Sequence, residues 1–417
     1  MLADVPIVFV LIGITAYTVL SGADFGAGLW MLIPGGGQAS AAATRDDTRH
    51  AIGPVWEANH VWLIFVLTVM WTCYPVAFGS IVSTLAVPLL IAAIGIIFRG
   101  TTYALRSQLE RGEGRGVALV ENLFALSSVL TPFALATVVG GIATGRVPVG
   151  NARGNIITSW LNPVSIMAGV LAVAFSGYLA AVYLAADARR LSERTLMRDF
   201  RHRALLSGVA AGALALAGLL VVRAEAGTLW HGLTTGAGLV LVILSGLAGV
   251  MTLVLVWRGY FGLARASAAL AVAAVIAGWA AAQEPLLLPG LTVRAAAADR
   301  ATLIATIIGV AVGAAVLVPS LGLLYTLVLR GRLDAAASDE PAAPAAVPGP
   351  VVVPVARRAA SVPGTRLAWA FAGVSLVAGV GLLVFASPAW AIAIGVLALL
   401  ACAVTVFALT AAPEDGA

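Results

Sequence analysis

Eleven long apolar stretches dominate this chain of 417 residues and restrict what it can fold into. Each has about 20 residues, the length that a helix needs to cross roughly 30 Å of hydrocarbon. Hydrophobic residues make up 61% of the chain and charged residues only 10%, which excludes a water-soluble domain. The sequence therefore predicts an all-α polytopic membrane protein. The stretches cover residues 6–33, 59–78, 82–105, 117–140, 161–186, 203–222, 234–256, 264–283, 301–329, 367–386 and 388–410.

The apolar stretches fall into two groups, which predicts three parts of the chain. Nine stretches form a nine-span core over residues 1–333. Residues 334–365 are rich in Ala, Pro and Val, a composition typical of a flexible or polyproline-like linker. The last two stretches form an additional transmembrane hairpin with a short tail over residues 366–417.

The basic residues of the chain, all of them arginine, indicate its orientation in the membrane. Eighteen of the 24 lie in loops that follow odd-numbered stretches, whereas five follow even-numbered ones and Arg99 lies within a stretch. Short arginine groups between apolar stretches are typical of membrane-protein loops, so nucleic acid is not an expected partner. The positive-inside rule then places the odd-numbered loops in the cytoplasm and the N-terminus outside.

Few ionisable residues interrupt the stretches, and each is a functional candidate, because a charged side chain costs about 2.5–3.5 kcal/mol in hydrocarbon. Asp24 lies near the end of the first stretch, and Glu57 and His60 lie where the second begins. Arg99 lies near the end of the third stretch, and Glu121 lies near the start of the fourth. The predicted topology brings all five to the cytoplasmic side of the membrane.

Each candidate also has a purely structural interpretation. The Arg99 side chain can extend to the interface or pair with a carboxylate. Glu57 can be a first-turn acid that the helix dipole favours, and Trp56 can belong to an interfacial aromatic belt. Asp24 is the hardest to explain in this way, because its side chain is too short to reach water and needs a partner or a proton.

Glycines in the first stretch predict close helix packing. Gly22, Gly26 and Gly28 follow the small-residue spacing of helix pairs in membranes. A nucleotide-binding loop would need a strand before these glycines and a helix after them, and the sequence has no such context.

The four histidines predict that the chain binds no metal or redox centre of its own. Only His60 lies in or near an apolar stretch, whereas His50, His202 and His231 lie in loops. Haem with two axial ligands needs a His pair, or a His and a Met, facing one cavity. The sequence also lacks the ligand spacing of a zinc or copper site.

Most of the chain before residue 330 resembles subunit II of cytochrome bd-type quinol oxidases, including the cyanide-insensitive variants. Residues 21–28 look like the DGFDxGxG segment of that family, and residues 52–63 resemble its P-x-W-[DE]-x-N-x-V-W-L segment. Six matching segments occur in the family's order, which makes the combination much more specific than any one motif. They cover residues 21–28, 52–63, 98–107, 162–170, 285–292 and 318–325.

The resemblance implies a non-haem subunit of an enzyme that oxidises quinol and reduces oxygen to water in the bacterial cytoplasmic membrane. It implies that the haem b and haem d type centres and the quinol site belong to a partner, subunit I, in a pseudosymmetric heterodimer. It also implies that subunit II contributes to a proton route from the cytoplasm and can hold a structural quinone. No residue of this chain is expected to be catalytic.

Within this resemblance, Glu57 is expected to be the entry acid of the proton route. Asp24 is expected to be the next station or the structural partner of Arg99, and Asn59 and His60 to be supporting hydrogen-bonding groups. Glu121 is also placed in the route, and Trp56 and Arg99 support it.

Two residues depart from the family pattern. Ser21 occupies the position of the family's first acid, and His60 lies where Gln or Glu is usual.

Two other classes of protein stay open. The main alternative is a proton- or ion-coupled secondary transporter, which would use the same acids to couple ions to a solute. An odd number of core spans and acids at the inner face, not at the midplane, argue against it. The third interpretation is a structural scaffold whose acids are neutralised by Arg99.

Overall fold

The computed structural model describes residues 2–33, 56–109, 115–190 and 193–329, together with isolated residues between 370 and 405. A 3-10 turn at Leu2–Asp4 is followed, within these residues, by twelve α-helices and one hairpin of two short strands. The helices are α1 (Val5–Leu32), α2 (Trp56–Cys73), α3 (Pro75–Thr84), α4 (Ala86–Leu109), α5 (Arg115–Ala143), α6 (Pro163–Arg190), α7 (Arg194–Glu225), α8 (Gly227–Thr234), α9 (Gly236–Arg258), α10 (Phe261–Gln283), α11 (Val293–Ala296) and α12 (Arg300–Leu329). The strands are β1 (Leu286–Leu288) and β2 (Leu291–Thr292), which pair antiparallel.

Seven of the described helices, namely α1, α5, α6, α7, α9, α10 and α12, are long and apolar enough to cross a membrane. The bent pair of α3 and α4 forms an eighth span if it counts as one, and α2 contains a shorter apolar helix over Asn59–Cys73. The predicted all-α polytopic class is confirmed. Each of the nine stretches predicted before Arg330 corresponds to a helix or to the bent pair.

The boundary between the second and third predicted stretches is wrong. We expected continuous spans over residues 59–78 and 82–105, but α2 ends at Cys73, and α3 and α4 meet at an angle of 83°. Pro75 explains the first break, because proline disfavours a helical conformation at the residue before it. Pro88 contributes to the second, because it lacks the N–H that would bond to the Thr84 carbonyl. Hydropathy averaged over about 20 residues does not reveal these local breaks, because each depends on a single proline.

Helix α7 begins well before its predicted stretch because side-chain contacts extend it. Leu196 and Phe200, spaced one turn apart on α7, are both buried, so the helix continues through the arginine-rich segment before residue 203. α12 begins at Arg300, directly after Asp299. The Thr302 hydroxyl donates to the Asp299 carboxylate and holds its pKa below the usual range, as expected at a helix N-terminus.

Glycines bring α1 against two neighbouring helices, as their spacing predicts. A Cβ atom on Gly26 would lie 1.8 Å from the main-chain oxygen of Ser176 in α6. A Cβ atom on Gly28 would lie 2.1 Å from the hydroxyl oxygen of Ser128 in α5. Gly22 packs near Leu179 of α6. Only glycine permits this separation between backbones, so the predicted close packing is confirmed.

We expect Gly26→Ala to destabilise the chain by about 1–3 kcal/mol, because the added methyl group forces α1 away from α6. Gly212→Ala is the matched control. Gly212 lies in α7, and a Cβ atom there would meet nothing within 4 Å. It should be neutral, or stabilise the helix by up to about 1 kcal/mol. Thermal unfolding of the purified variants in detergent measures both effects, and equal melting temperatures would contradict the packing argument.

Contacts distant in sequence define the two ends of the unit formed by residues 1–327. At the hairpin end, next to β1 and β2, the Tyr74 hydroxyl donates to the Ala3 carbonyl at 2.6 Å. The Ala298 N–H donates to the Cys73 carbonyl at 2.8 Å there. At the opposite end, which we call the site end, α1 finishes, α2 begins, and Asn59 contacts Asp24.

The remaining residues form a second unit over residues 328–417. The predicted linker, residues 334–365, lies outside the described residues, and the predicted hairpin contributes only isolated described residues. The division into core, linker and hairpin therefore stays a prediction.

Candidate functional site

Asp24 lies on α1 in a polar cluster that three other helices complete. The side-chain amide of Asn59, near the start of α2, donates a hydrogen bond to the Asp24 carboxylate. Asn59 is only 1% exposed, so this bond lies inside the bundle. Because both side chains are short and Asn59 is buried, the pair fixes how α1 and α2 align at the site end.

Arg99 of α4 is the largest side chain that the bundle buries completely, with 1% exposure. Its guanidinium donates to the main-chain carbonyl oxygen of Asp24 at 2.8 Å and to the hydroxyl of Ser128 in α5. The guanidinium carbon lies 4.9 Å from the ring centre of Phe25 and 4.3 Å from that of Phe124. Arg99 therefore does not extend to the interface, and its hydrogen bond to Asp24 is to the backbone, not to the carboxylate.

This arrangement places opposing influences on the Asp24 carboxyl group. Burial penalises the charged carboxylate, whereas the nearby guanidinium and the amide donor of Asn59 stabilise it. Arg99 is held between two aromatic rings, an environment that favours a cation. The cluster can therefore hold a carboxyl group that gains or loses a proton beside a permanent positive charge.

Tyr17 and His60 extend the cluster away from Asp24. The His60 ring lies 6.0 Å from the ring of Tyr17 and 6.4 Å from that of Phe25, both in edge-to-face geometry. Tyr17 and Ser21 precede Asp24 on α1 by seven and three residues, about two turns and one turn of helix. Their buried hydroxyl oxygens have no hydrogen-bond partner among the described residues. Ser21 thus places a small polar group where the family pattern has a carboxylate.

The structure brings together four of the predicted site residues: Asp24, Asn59, His60 and Arg99. Three others, Trp56, Glu57 and Glu121, lie on helices whose backbone is described, but their side chains lie outside the described residues. Trp56 and Glu57 are in the first turn of α2. Glu121 lies on α5, two residues before the candidate span that begins at Leu123. Their roles stay predictions.

Sequence reasoning missed Tyr17, Phe25, Phe124 and Ser128. Phe25 follows Asp24 directly, but an aromatic residue in an apolar helix gives no sign of which way its ring points. In α5, the Ser127–Ser128 pair inside an apolar run is the sequence feature that could have indicated a polar contact. Both hydroxyls donate to the Phe124 carbonyl, and only Ser128 also accepts from Arg99.

Comparison with known proteins assigns the family. The sequence profile described as Cytochrome bd terminal oxidase subunit II matches residues 2–328. The chain belongs to the cytochrome bd oxidase subunit II family. The predicted resemblance is confirmed, and this match covers every helix of the polar cluster.

Relatives and a solved structure agree with membership of the bd oxidase subunit II family. The cytochrome bd ubiquinol oxidase subunit 2 of Bacillus subtilis is 24% identical over 172 residues, 40% of this chain and 48% of that protein. The cytochrome bd-I ubiquinol oxidase subunit 2 of Escherichia coli K12 is 24% identical over 180 residues, 40% of this chain and 44% of that protein. The matches thus span about half the length of these curated relatives.

A chain in the structure of bd oxidase from Geobacillus thermodenitrificans is similar with a TM-score of 0.60 and 25% identity. The similarity covers 79% of this chain and 98% of the Geobacillus chain. The helical arrangement is therefore that of a bd oxidase chain. Family membership leaves the transporter alternative without a supporting observation.

Proposed function

We propose that this chain is the non-haem subunit of a cytochrome bd-type oxidase, which oxidises quinol and reduces oxygen to water. The family match over residues 2–328 is the observation that carries this proposal. In this proposal the haem b and haem d type centres and the quinol site belong to a haem-bearing subunit I. Among the described residues, no three His, Cys, Asp or Glu side chains are grouped to hold a metal ion.

The polar cluster supports a second part of the proposal, a proton route. Reduction of oxygen to water consumes protons, so a route is needed through a region where charge is costly. Glu57 would take up the proton in the first turn of α2, two residues before Asn59. Asp24, which Asn59 contacts, would be the next station. His60 lies beside the cluster, and Glu121 on α5 would contribute from the same end.

The arginine distribution supports uptake from the cytoplasm. The predicted topology puts the loops after odd-numbered spans at the site end, and these loops hold most of the arginines. We propose that this end faces the cytoplasm of a bacterial cell and that the N-terminus lies outside. Arg99 would then provide a permanent positive charge where the route enters the bundle.

Purification tests the proposed enzyme. The chain produced together with a haem-bearing subunit I should co-purify with it, show haem absorption and consume oxygen when quinol is supplied. The chain produced alone is the control, and it should show no haem absorption, because His60 is the only histidine in or near a predicted span. Stoichiometric haem in the single subunit, or a folded chain that never associates with subunit I, would contradict the proposal.

A further inference from the structure

Three aromatic rings enclose one face of α1 beside Asp24. Tyr17 and Phe25 are eight residues apart, about 12 Å along a straight helix, yet their ring centres are only 6.4 Å apart. The two rings therefore lean toward each other over Ser21, which lies midway between them in sequence. The His60 ring of α2 completes the group in edge-to-face contact with both. We call these three rings, with Ser21 at their base, the aromatic box.

The Ser21 hydroxyl does not bond to its own helix. Other buried hydroxyls in the bundle donate to the carbonyl four residues earlier, the usual bond inside a helix; examples are Ser80, Ser128 and Thr252. Ser21 is 0% exposed, and its oxygen has no hydrogen-bond partner among the described residues. Because a buried hydroxyl without a partner is unfavourable, this group indicates a polar ligand at the base of the box.

Two further buried oxygens lie next to Ser21. The Tyr17 hydroxyl has no hydrogen-bond partner in the described part of the chain, and its side chain is only 8% exposed. The Asn59 amide nitrogen bonds to Asp24, but its amide oxygen is buried and accepts no bond from these residues. Ser21 lies four residues after Tyr17 and three before Asp24, spacings that put all three side chains on one face of α1.

The chemistry and size of the box favour water as the ligand. The two hydroxyls can donate or accept and the Asn59 oxygen accepts, and a buried water needs two to four such partners. Rings with centres 6.0–6.4 Å apart are in direct contact, which excludes a larger molecule. The Arg99 guanidinium, 4.9 Å from the Phe25 ring centre, opposes a bound cation.

We propose that Ser21, Tyr17 and the Asn59 amide oxygen bind an ordered water molecule, and that this water accepts the proton that Asp24 releases. In this step the O–H bond of the neutral Asp24 carboxyl breaks and the proton joins the water, which leaves a carboxylate near Arg99. Ser21 and Tyr17 are positioning residues, because they act by holding the water. The binding of water is independent of the proposed function, whereas its place in the route rests on the proposed proton route.

Radiolytic labelling detects the water without reference to turnover. X-rays convert bound water into hydroxyl radicals, which oxidise the nearest side chain, and mass spectrometry locates the added oxygen. We expect oxidation of Tyr17 in the full chain purified in detergent. Tyr74 is the matched control and should stay unlabelled, since it is also buried but its hydroxyl donates to the Ala3 carbonyl.

Substitution of Ser21 connects the water to the residue that holds it. Ser21→Ala should remove most of the label from Tyr17. Ser127→Ala is the matched control, because it removes a buried hydroxyl that already bonds to its own helix, and it should leave the label unchanged.

Turnover of the complex with subunit I tests the place of the water in the route. Ser21→Ala should lower oxygen consumption, normalised to haem absorption, at least about tenfold, because a positioned proton acceptor is lost. Tyr17→Phe keeps the ring but removes the other hydroxyl, and it should act in the same direction. Ser127→Ala should turn over as the wild type does.

Three results would overturn the proposal. Label on Tyr17 no higher than on Tyr74 would show that no water is bound. Equal label in Ser21→Ala and the wild type would show that Ser21 does not hold it. Loss of the label in Ser21→Ala with unchanged turnover would remove the water from the route. Failure of the proposed route itself is distinguishable, because Asp24→Asn would then keep full turnover while Tyr17 is still labelled.

Discussion

Replacing Asp24 by Asn should reduce quinol-driven oxygen consumption by at least about tenfold while the haem-containing complex still assembles. Asn has nearly the same shape and can accept the hydrogen bond from Asn59 through its side-chain oxygen, but it cannot carry a proton. General acid–base groups typically contribute about 10²–10⁴-fold, so the expected loss is large. Oxygen uptake, normalised to haem absorption, measures it.

Asp187→Asn is the matched control for the Asp24 substitution. Asp187 is also a carboxylate at the site end, but it is partly exposed and pairs with Arg265. Its replacement should leave turnover close to that of the wild type. Full turnover of Asp24→Asn with normal haem content would remove Asp24 from the route. Loss of haem together with activity would instead assign Asp24 to assembly and contradict the expected result.

Glu57→Gln extends the same experiment to the proposed entry of the route. It should also lower turnover strongly, whereas Glu57→Asp should be milder, because the family pattern accepts either acid at this position. If Asp24→Asn lowers turnover and Glu57→Gln does not, the proton enters by another residue. The cluster around Asp24 would keep its role in that case.

Arg99→Met should cause the largest loss of folded protein of any single substitution in the cluster. It removes hydrogen bonds to the Asp24 carbonyl and to Ser128, and it leaves the half-buried Asp24 carboxylate without its nearby cation. Breaking a buried ion pair costs about 3–5 kcal/mol, and the loss here should be at most that, because Arg99 does not bond to the Asp24 carboxylate itself. The amount of folded chain recovered from membranes, and its melting temperature in detergent, measure the effect.

The double variant Arg99→Met with Asp24→Asn separates charge from packing. If the loss comes from an uncompensated carboxylate, making Asp24 neutral should restore part of the melting temperature. Arg223→Met, at the opposite end and over the Trp230 ring, is the control for removing an arginine in general. A double variant no more stable than Arg99→Met alone would show that the two side chains are not coupled.

The sequence was sufficient to predict the spans because the bilayer imposes a length on each of them. It also identified Asp24, Asn59, His60 and Arg99, because polar groups in apolar stretches are rare and costly. It did not predict the break before Pro75, since hydropathy over a long window averages out a local constraint on the backbone. The roles of Glu57, Glu121 and Trp56 stay predictions, because their side chains lie outside the described residues.

The partners of Arg99 could not be predicted for a different physical reason. A helix that is apolar on all sides has no single buried stripe, so its sequence does not show which face meets which neighbour. Phe124 and Ser128 therefore look like any other residues of α5. Glycines of two other helices determine how closely α5 approaches: Gly28 of α1 lies against Ser128, and Gly95 of α4 lies against Thr131.

The close approach of α1 to α5 and α6 has a consequence for how the cluster can move. Gly26 lies against the backbone of Ser176, and Gly28 lies against Ser128, so these two helices restrain α1 on either side of Asp24. On the α2 side, the contacts that the described residues make at the site end come from the side chains of Asn59 and His60. A contact between side chains can open by a change of rotamer, whereas packed backbones do not separate without disrupting the bundle. The backbone around Asp24 is thus held in place by α5 and α6. Water can be admitted or excluded only where the side chains of α2 contact the cluster.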